Sequence, residues 1–348
     1  LSTSENQPNA LNPNKQQRIL SGMRPTGRLH LGHFKGVLAN WVKLQDEHQC
    51  FFFAADWHAL TTDYANPGIV SQTIWDMLID WLAVGIDPEK AVIFIQSEVP
   101  QHAELHLLFS FITPLPWLER VPTYKDQIEQ LREKDLGTYG FLGYPLLQSA
   151  DILIYRADGV PVGEDQVPHV ELTREVARRF NHLYRKPDQP LFPEPESLLM
   201  PASKLPGLDG RKMSKSYNNT IELGETWKVT EQKVKTMPTD PARVRRDDPG
   251  TPEKCPVWEY HKIYSTEDER SEVHSGCTSA EIGCLDCKKV LLKHLEEELQ
   301  PIRERRAQIA SRPDDLRDVV RAGNERARIE AERTMEKVRR TLKMGYRV

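Results

Sequence analysis

The chain has 348 residues, 39% of them hydrophobic and 28% charged, and a formal net charge of −4. That length suits two domains or one large one, with the composition of an ordinary water-soluble protein. The balance is not that of a uniformly basic nucleic-acid-coating protein, and no apolar run approaches the roughly 20 residues of a membrane span.

Residues 1–16 are rich in Ser, Asn, Gln and Pro and lack the apolar core of a signal peptide. They read as a disordered tail. Arg18-Ile19-Leu20 predicts a short buried strand. A Gly/Pro loop follows, and residues 34–45 carry Val37, Leu38, Trp41, Val42 and Leu44 at helical spacing. His30 and His33 stand at the start of that helix, three apart and so on one face. Unpaired N–H groups there attract phosphate, and Gly32 lets a nucleotide approach the backbone closely.

Residues 48–62 predict a buried parallel strand with Asp56 and His58 at its carboxyl end, the edge where open α/β sheets bind ligands. Residues 71–84 predict an amphipathic helix, 91–95 a buried strand and 102–111 a helix. The alternation is that of a doubly wound parallel sheet. Residues 143–155 form an apolar helix with Asp151 in its middle. A buried carboxylate is costly without a partner. Either Asp151 binds a local backbone group or an arginine, or it accepts from a ligand donor. An indole N–H, which donates and cannot accept, would suit it. Tyr144, two turns earlier on the same face, can flank an aromatic ligand.

Residues 160–166 predict a strand ending in Gly163, then Glu164, Asp165 and Gln166. Gly163 admits a flat ring, Asp165 can accept from ribose hydroxyls and Gln166 can bond an α-amino group. Glu164 and Asp165 could equally cap the next helix. Further on, Leu205-Pro206-Gly207-Leu208-Asp209-Gly210 opens what reads as a mobile loop. Its end, Arg211-Lys212-Met213-Ser214-Lys215-Ser216, presents two ammonium groups and two hydroxyls, which suit a polyphosphate. Arg243, Arg245 and Arg246 either touch RNA phosphates or pair with Asp247 and Asp248.

Cys50 stands alone in an apolar strand, whereas Cys255, Cys277, Cys284 and Cys287 cluster. A Cys-x-x-Cys pair with two more thiols has metal-site spacing. Thiolates select zinc or an iron–sulfur cluster, and the spacing does not choose between them. Lys288 and Lys289 directly after would suit phosphate contact. From residue 288 on there are 17 Lys+Arg against 11 Asp+Glu. A basic end on an acidic protein points to nucleic acid, and a helix laced with ion pairs is the alternative. Leu291, Leu292, Leu295, Leu299 and Ile302 form an apolar stripe. Val319, Val320, Ala327, Ile329, Met335, Val338 and Leu342 continue it with interruptions, so this end is expected to be helical.

His30-Leu31-Gly32-His33 and Lys212-Met213-Ser214-Lys215-Ser216, about 180 residues apart, resemble the paired signatures of class I aminoacyl-tRNA synthetases. Tyr144 with Asp151, residues 160–166, His169-Val170-Glu171-Leu172-Thr173-Arg174 and Arg179-Phe180-Asn181 together resemble bacterial tryptophanyl-tRNA synthetases, over residues 17–346. The tyrosyl enzymes share this fold and are the nearest competitor. The resemblance implies a Rossmann-like catalytic domain over 17–224 and an α-helical anticodon-binding domain over 225–348. It implies formation of tryptophanyl-adenylate from L-tryptophan and ATP with Mg²⁺, then transfer to tRNA(Trp). Catalytic roles fall to Lys212, Lys215, His33 and His30. The ATP site would use Arg24, Pro25, Thr26, Gly32, His33, Gly163, Glu164, Asp165, Leu205, Lys212, Met213, Ser214, Lys215 and Ser216. The tryptophan site would use Gly22, His58, Tyr144, Gln148, Asp151 and Gln166. A subset of these enzymes holds a [4Fe–4S] cluster on a nearly identical cysteine pattern, which here would be Cys255, Cys277, Cys284 and Cys287. A homodimer and a cytoplasmic setting are implied as well. Two departures stand out: Arg24 where many bacterial members have Gln, and Gln148 where many have Met.

Overall fold

The computed structural model describes residues 16–122, 124, 136–200 and 205–344. The expected tail lies outside the described residues up to residue 15, as do residues 201–204 before the lysine loop. Five strands form one sheet: β1 (Arg18–Met23), β2 (Gln49–Ala54), β3 (Ala91–Ile95), β4 (Gly159–Val162) and β5 (Glu196–Leu199). All pairings are parallel, in the order β3-β2-β1-β4-β5. A sheet covered on both faces needs near-continuous apolar strands. Cys50-Phe51-Phe52-Phe53-Ala54 and the whole of β3 are buried accordingly. The sequence reading found β1 to β4 for that reason. It missed β5, whose Glu196-Ser197-Leu198-Leu199 is only partly buried at the sheet edge.

Successive strand residues face opposite sides, and the two cores divide accordingly. On one side Phe52 packs with Trp41, Trp81, Leu291, Leu295, Leu299 and Val320. The Trp41 and Phe52 rings stack with centroids 4.3 Å apart. On the other side Phe51 and Phe53 join Phe94, Phe109, Tyr155, Phe180, Ala331 and Met335. Each such buried ring contributes roughly 2–3 kcal/mol.

Helix α1 follows β1. It runs through Leu31–His33, a π-helical stretch Phe34–Leu38 and then Ala39–Glu47. After β2 come α2 (Asp56–Asp63) and α3 (Gly68–Ala83), and after β3 come α4 (Gln101–Ser110) and α5 (Leu115–Glu119). Helix α6 (Tyr139–Ile154) precedes β4, and α7 (Val167–Tyr184) follows it. The remainder is helical: α8 (Trp227–Lys235), α9 (Pro256–Tyr264), α10 (Glu267–Thr278), α11 (Cys284–Ala310) and α12 (Pro313–Thr341).

Helix α12 lies along edge strand β3. A Cβ on Gly323 would sit 1.8 Å from the Ile93 carbonyl oxygen, so only glycine permits the approach. Asn324 Oδ1 accepts from the Ile95 N–H at 3.0 Å, which satisfies a donor that a bare edge strand would leave free. The buried stripe of α12 is Leu316, Val320, Gly323, Ala327, Ala331, Met335 and Val338. Ile329, expected in that stripe, is instead 45% exposed. Close packing selects the small residues, which an apolar-periodicity reading passes over. Four of the eight Lys and Arg in α12 stand in i,i+3 pairs: Arg317–Asp314, Arg321–Asp318, Arg328–Glu325 and Arg333–Glu330. The ion-pair alternative therefore holds for this helix.

Candidate active site

Strand order reverses between β1 and β4, and a crevice opens outside the carboxyl ends of strands at such a point. The cavity there has a volume of about 460 Å³. Gly22, Arg24, Thr26, His33, His58, Tyr144, Gln148, Asp151, Gly163 and Gln166 all line it. A Cβ on Gly22 would come within 2.5 Å of the Phe53 ring, so glycine is required for β1 to end beneath that ring. His58 arrives from α2 rather than from a strand end, because β2 stops at Ala54 and a helix starts at Asp56. Asp56 is not a cavity group. Its Oδ1 accepts from the N–H of Trp57 and of Ser97.

One end of the cavity is organised by Asp151, which is completely buried. Among the described residues neither a backbone group nor an arginine partners it. Its Oδ2 meets His58 Nε2 at 2.7 Å, and its Oδ1 meets Gln96 Nε2 at 2.8 Å and His102 Nδ1 at 2.6 Å. Burial alone would push the carboxyl pKa up. The imidazoles of His58 and His102 outweigh it and hold the group well below the usual carboxylate range. His102 Nε2 in turn meets the Tyr155 hydroxyl at 2.8 Å. Gln96, His102 and Tyr155 escaped the sequence reading. Asp151 in an apolar helix announced that a partner exists, but nothing in the sequence indicated which. Tyr144 packs its ring 5.4 Å from that of His169, a cavity residue the sequence reading did not place there. Burial pushes His169 down to about 4.

The other end is built from the two motifs. The His30 backbone N–H donates to His33 Nδ1 at 3.2 Å, which leaves the proton of a neutral His33 ring on Nε2. Burial, with Lys215 adding to it, pushes His30 down to about 4. Burial, then His30 and Lys215, pushes His33 to about 3. Both rings are therefore neutral near pH 7. The Gly32 N–H donates to Met213 Sδ at 3.3 Å. A Cβ on Gly32 would meet the His30 ring at 3.1 Å and Met213 Sδ at 3.5 Å. Lys215 Nζ reaches the Thr26 carbonyl at 3.4 Å, over Gly27, whose φ is +119°.

The lysine loop has an internal frame. Asn219, nearly buried, accepts from the Ser214 N–H at 2.8 Å and donates to Asp209 Oδ1 at 2.7 Å and the Lys212 carbonyl at 3.1 Å. Gly207 is required beneath that amide, since a Cβ would lie 2.1 Å from Nδ2. Leu205 and Met213 are core residues, whereas Lys212 and Ser216 are exposed. Pro25 is buried, and its carbonyl accepts from Thr73 Oγ1 at 2.6 Å. Glu164 and Asp165 form a short 3₁₀ turn and cap nothing; Asp165 Oδ2 accepts from Gln166 Nε2 at 2.9 Å. Among the described residues Arg24 is the one Arg or Lys that lines the cavity. Burial lowers its pKa, and Asp63 then Tyr144 oppose that.

The four clustered cysteines lie close enough to affect one another. Burial, then Cys255, Cys277 and Cys284, push Cys287 up to about 12, and burial also raises Cys255 and Cys277. Cys284 opens α11. His261 Nε2 lies 3.2 Å from Cys287 Sγ. Among the described residues no three His, Cys, Asp or Glu side chains are arranged to hold a metal ion. Two readings near this cluster are corrected. Lys288 is buried and donates to the carbonyls of Lys235 (2.7 Å) and Met237 (2.6 Å), so it is not free for phosphate; burial outweighs exposure because two carbonyls replace its water. Arg243 is likewise buried, donating to the carbonyls of Arg246 and Ile282 at 2.9 and 2.7 Å. Lys289 pairs with Asp286 at the surface. No described helix is long and apolar enough to cross a membrane.

The family described as "tRNA synthetases class I (W and Y)" matches residues 12–300. A tryptophan–tRNA ligase of Thermotoga maritima is 57% identical over 331 residues, covering 94% of this chain and all of that one. One of Ralstonia nicotianae is 51% identical over 396 residues, covering 95% and 99%. Among solved structures, the tryptophanyl-tRNA synthetase of Campylobacter jejuni, described as complexed with ADP and tryptophan, superposes with a TM-score of 0.85 at 30% identity. It covers 93% of this chain and 99% of that one. A parallel sheet with paired signatures meeting at its switch point, together with this likeness over nearly the whole length, gives the assignment: the chain belongs to the class I tRNA synthetases, among the tryptophan–tRNA ligases.

Proposed function

We propose that the chain's ligase reaction runs in this cavity, with tryptophan at the Asp151 end and ATP at the His33 end under Lys215. The observation that carries this reading is the contact between the motifs, Gly32 on Met213 and Lys215 on the Thr26 carbonyl. The ADP and tryptophan named for the Campylobacter jejuni neighbour support two adjoining sites. In the first step an oxygen of the tryptophan carboxylate attacks the α-phosphorus, the bond to the β-phosphate breaks, and pyrophosphate leaves with its Mg²⁺. In the second, a hydroxyl of the terminal adenosine of tRNA(Trp) attacks the activated carbonyl, and AMP leaves.

The nucleophile belongs to the substrate, so the protein's task is positioning and stabilising growing charge. Lys215, with Lys212 brought in from the surface, would neutralise the departing pyrophosphate. His33 Nε2–H and His30, neutral, would serve as donors rather than acids. Arg24 stands where two anions must meet. Gly32, Thr26 and Gly163 would admit the nucleotide, and Glu164, Asp165, Ser214 and Ser216 would border it. Tyr144, Gln148, Gln166 and His58 would surround the amino acid.

For Cys255, Cys277, Cys284 and Cys287 we read a [4Fe–4S] cluster, with zinc as the alternative. The four-thiol donor set, with Cys284 and Cys287 at the start of α11, Cys277 in α10 and Cys255 just before α9, supports a metal. When bound, it would tie the start of α11 to α10 and to the start of α9 and shape an anticodon-facing surface in residues 225–348. An anaerobic preparation absorbing near ~400 nm means iron–sulfur, and a colourless one with stoichiometric zinc means the alternative. Exposed Leu107, Phe111, Leu115 and Tyr139 on neighbouring helices support a homodimer, and a cytoplasmic location goes with this role. The site assignment is tested by pyrophosphate exchange. With Asp151→Ala the tryptophan KM should rise more than tenfold while the ATP KM holds. An unchanged tryptophan KM removes Asp151 from the amino-acid site.

A further inference from the structure

We propose that Gln96, His102 and Tyr155 are positioning residues that set specificity, fixing the Asp151 carboxylate so that one lone pair of Oδ2 remains for the indole N–H. The proposal rests on Asp151 as the indole acceptor and adds how that acceptor is made selective. A carboxylate offers about four lone-pair sites. Gln96 Nε2 and His102 Nδ1 occupy both on Oδ1, and His58 Nε2 occupies one on Oδ2. One acceptor site is left, and Asp151 lines the cavity, which Gln96, His102 and Tyr155 do not.

The direction of each bond follows from chemistry. The carboxylate only accepts, so His102 Nδ1 carries a proton. Tyr155 is fully buried, which raises its pKa well above the usual phenol value, with Asp151 adding to the effect, so it keeps its proton. Its O–H then donates to His102 Nε2, and the imidazole is locked as the Nδ1–H tautomer. Donors run one way along the chain, from Tyr155 through His102 to Asp151, an arrangement in which each bond polarises the next. The three residues come from three places in the fold: the turn directly after β3, helix α4 and the residue that caps the end of α6. The Phe94 ring lies 5.9 Å from that of His102, and the Phe51 ring stacks 4.7 Å from that of Tyr155, which fixes both rotamers. A site built around a single remaining acceptor rejects a ligand lacking the donor, because the acceptor would then stay unpaired.

The test compares kcat/KM in ATP–pyrophosphate exchange for tryptophan and for β-(benzothiophen-3-yl)alanine, in which sulfur replaces the indole N–H. In His102→Leu the preference for tryptophan should fall at least tenfold, through the tryptophan KM, with the ATP KM unchanged. His102→Asn, whose amide N–H can replace Nδ1–H, should restore most of it. Tyr155→Phe should lower it about threefold or more, and decides alone if His102→Leu fails to fold. An unchanged preference in His102→Leu and Tyr155→Phe, with Asp151→Ala abolishing it, overturns the proposal. If Asp151→Ala also leaves the preference unchanged, the acceptor reading itself fails.

Discussion

At Asp151 a buried charge is held by its donors. Removing a buried charge's partner is far costlier than its net contribution suggests. Asp151→Ala leaves Gln96 and two histidines facing nothing, and should lower unfolding free energy by about 3–5 kcal/mol in urea titrations. A loss under ~1 kcal/mol would mean that His58 and His102 find other partners. The sequence made Asp151 visible because a lone acid in an apolar helix is anomalous. It did not make His102 visible, since a histidine in an ordinary helical stretch gives no hint of a partner 49 residues away. Lys288 shows the opposite failure. Beside Cys287 it read as a surface cation, yet the fold buries it on two carbonyls.

Elements meet here through glycines. At Gly32 the start of α1, bearing no side chain of its own there, meets the Met213 side chain of the lysine loop. Gly32→Ala should push Met213 and the His30 ring outward, lowering exchange about tenfold with the tryptophan KM unchanged; wild-type exchange would show the contact to be incidental. At Gly323, a methyl group collides with the backbone of β3 rather than with a yielding side chain. Gly323→Ala should therefore cost about 2–3 kcal/mol of stability, seen as a lowered Tm, and an unchanged Tm would mean α12 can shift without loss. The strands were legible because burial on both faces demands unbroken apolar runs. Strand β5 was not, since an edge relaxes that demand. The helical stripe of α12 was only half legible, because glycine and alanine carry the contact.

Across the whole molecule, both hydrophobic cores draw on the sheet and on the C-terminal helices, so the site rests on a frame that includes the end of the chain. That frame also sets a pH response. Burial holds His30 and His169 at about 4 and His33 at about 3, against an ordinary value of 6.5. Below pH 6.5 the unfolded chain binds protons that the folded chain refuses, so stability is full above that pH and drains away as pH falls toward 4. Asp80, which burial pushes up to about 6 despite Arg306, acts in the reverse sense over part of that range. With these three histidines and His261, which burial also lowers to about 4, against one acid, Tm should fall between pH 7 and 4.5, and a rising Tm would contradict neutral, buried imidazoles. The most direct measurement is tryptophan-dependent ATP–pyrophosphate exchange in Lys215→Ala, paired with calorimetric tryptophan binding. The exchange rate should fall about 10²–10³-fold, the range for losing one transition-state contact, while tryptophan affinity stays within about twofold. Equal losses in both, or unchanged exchange, would contradict a cation delivered by the late loop onto a triphosphate held at the first crossover.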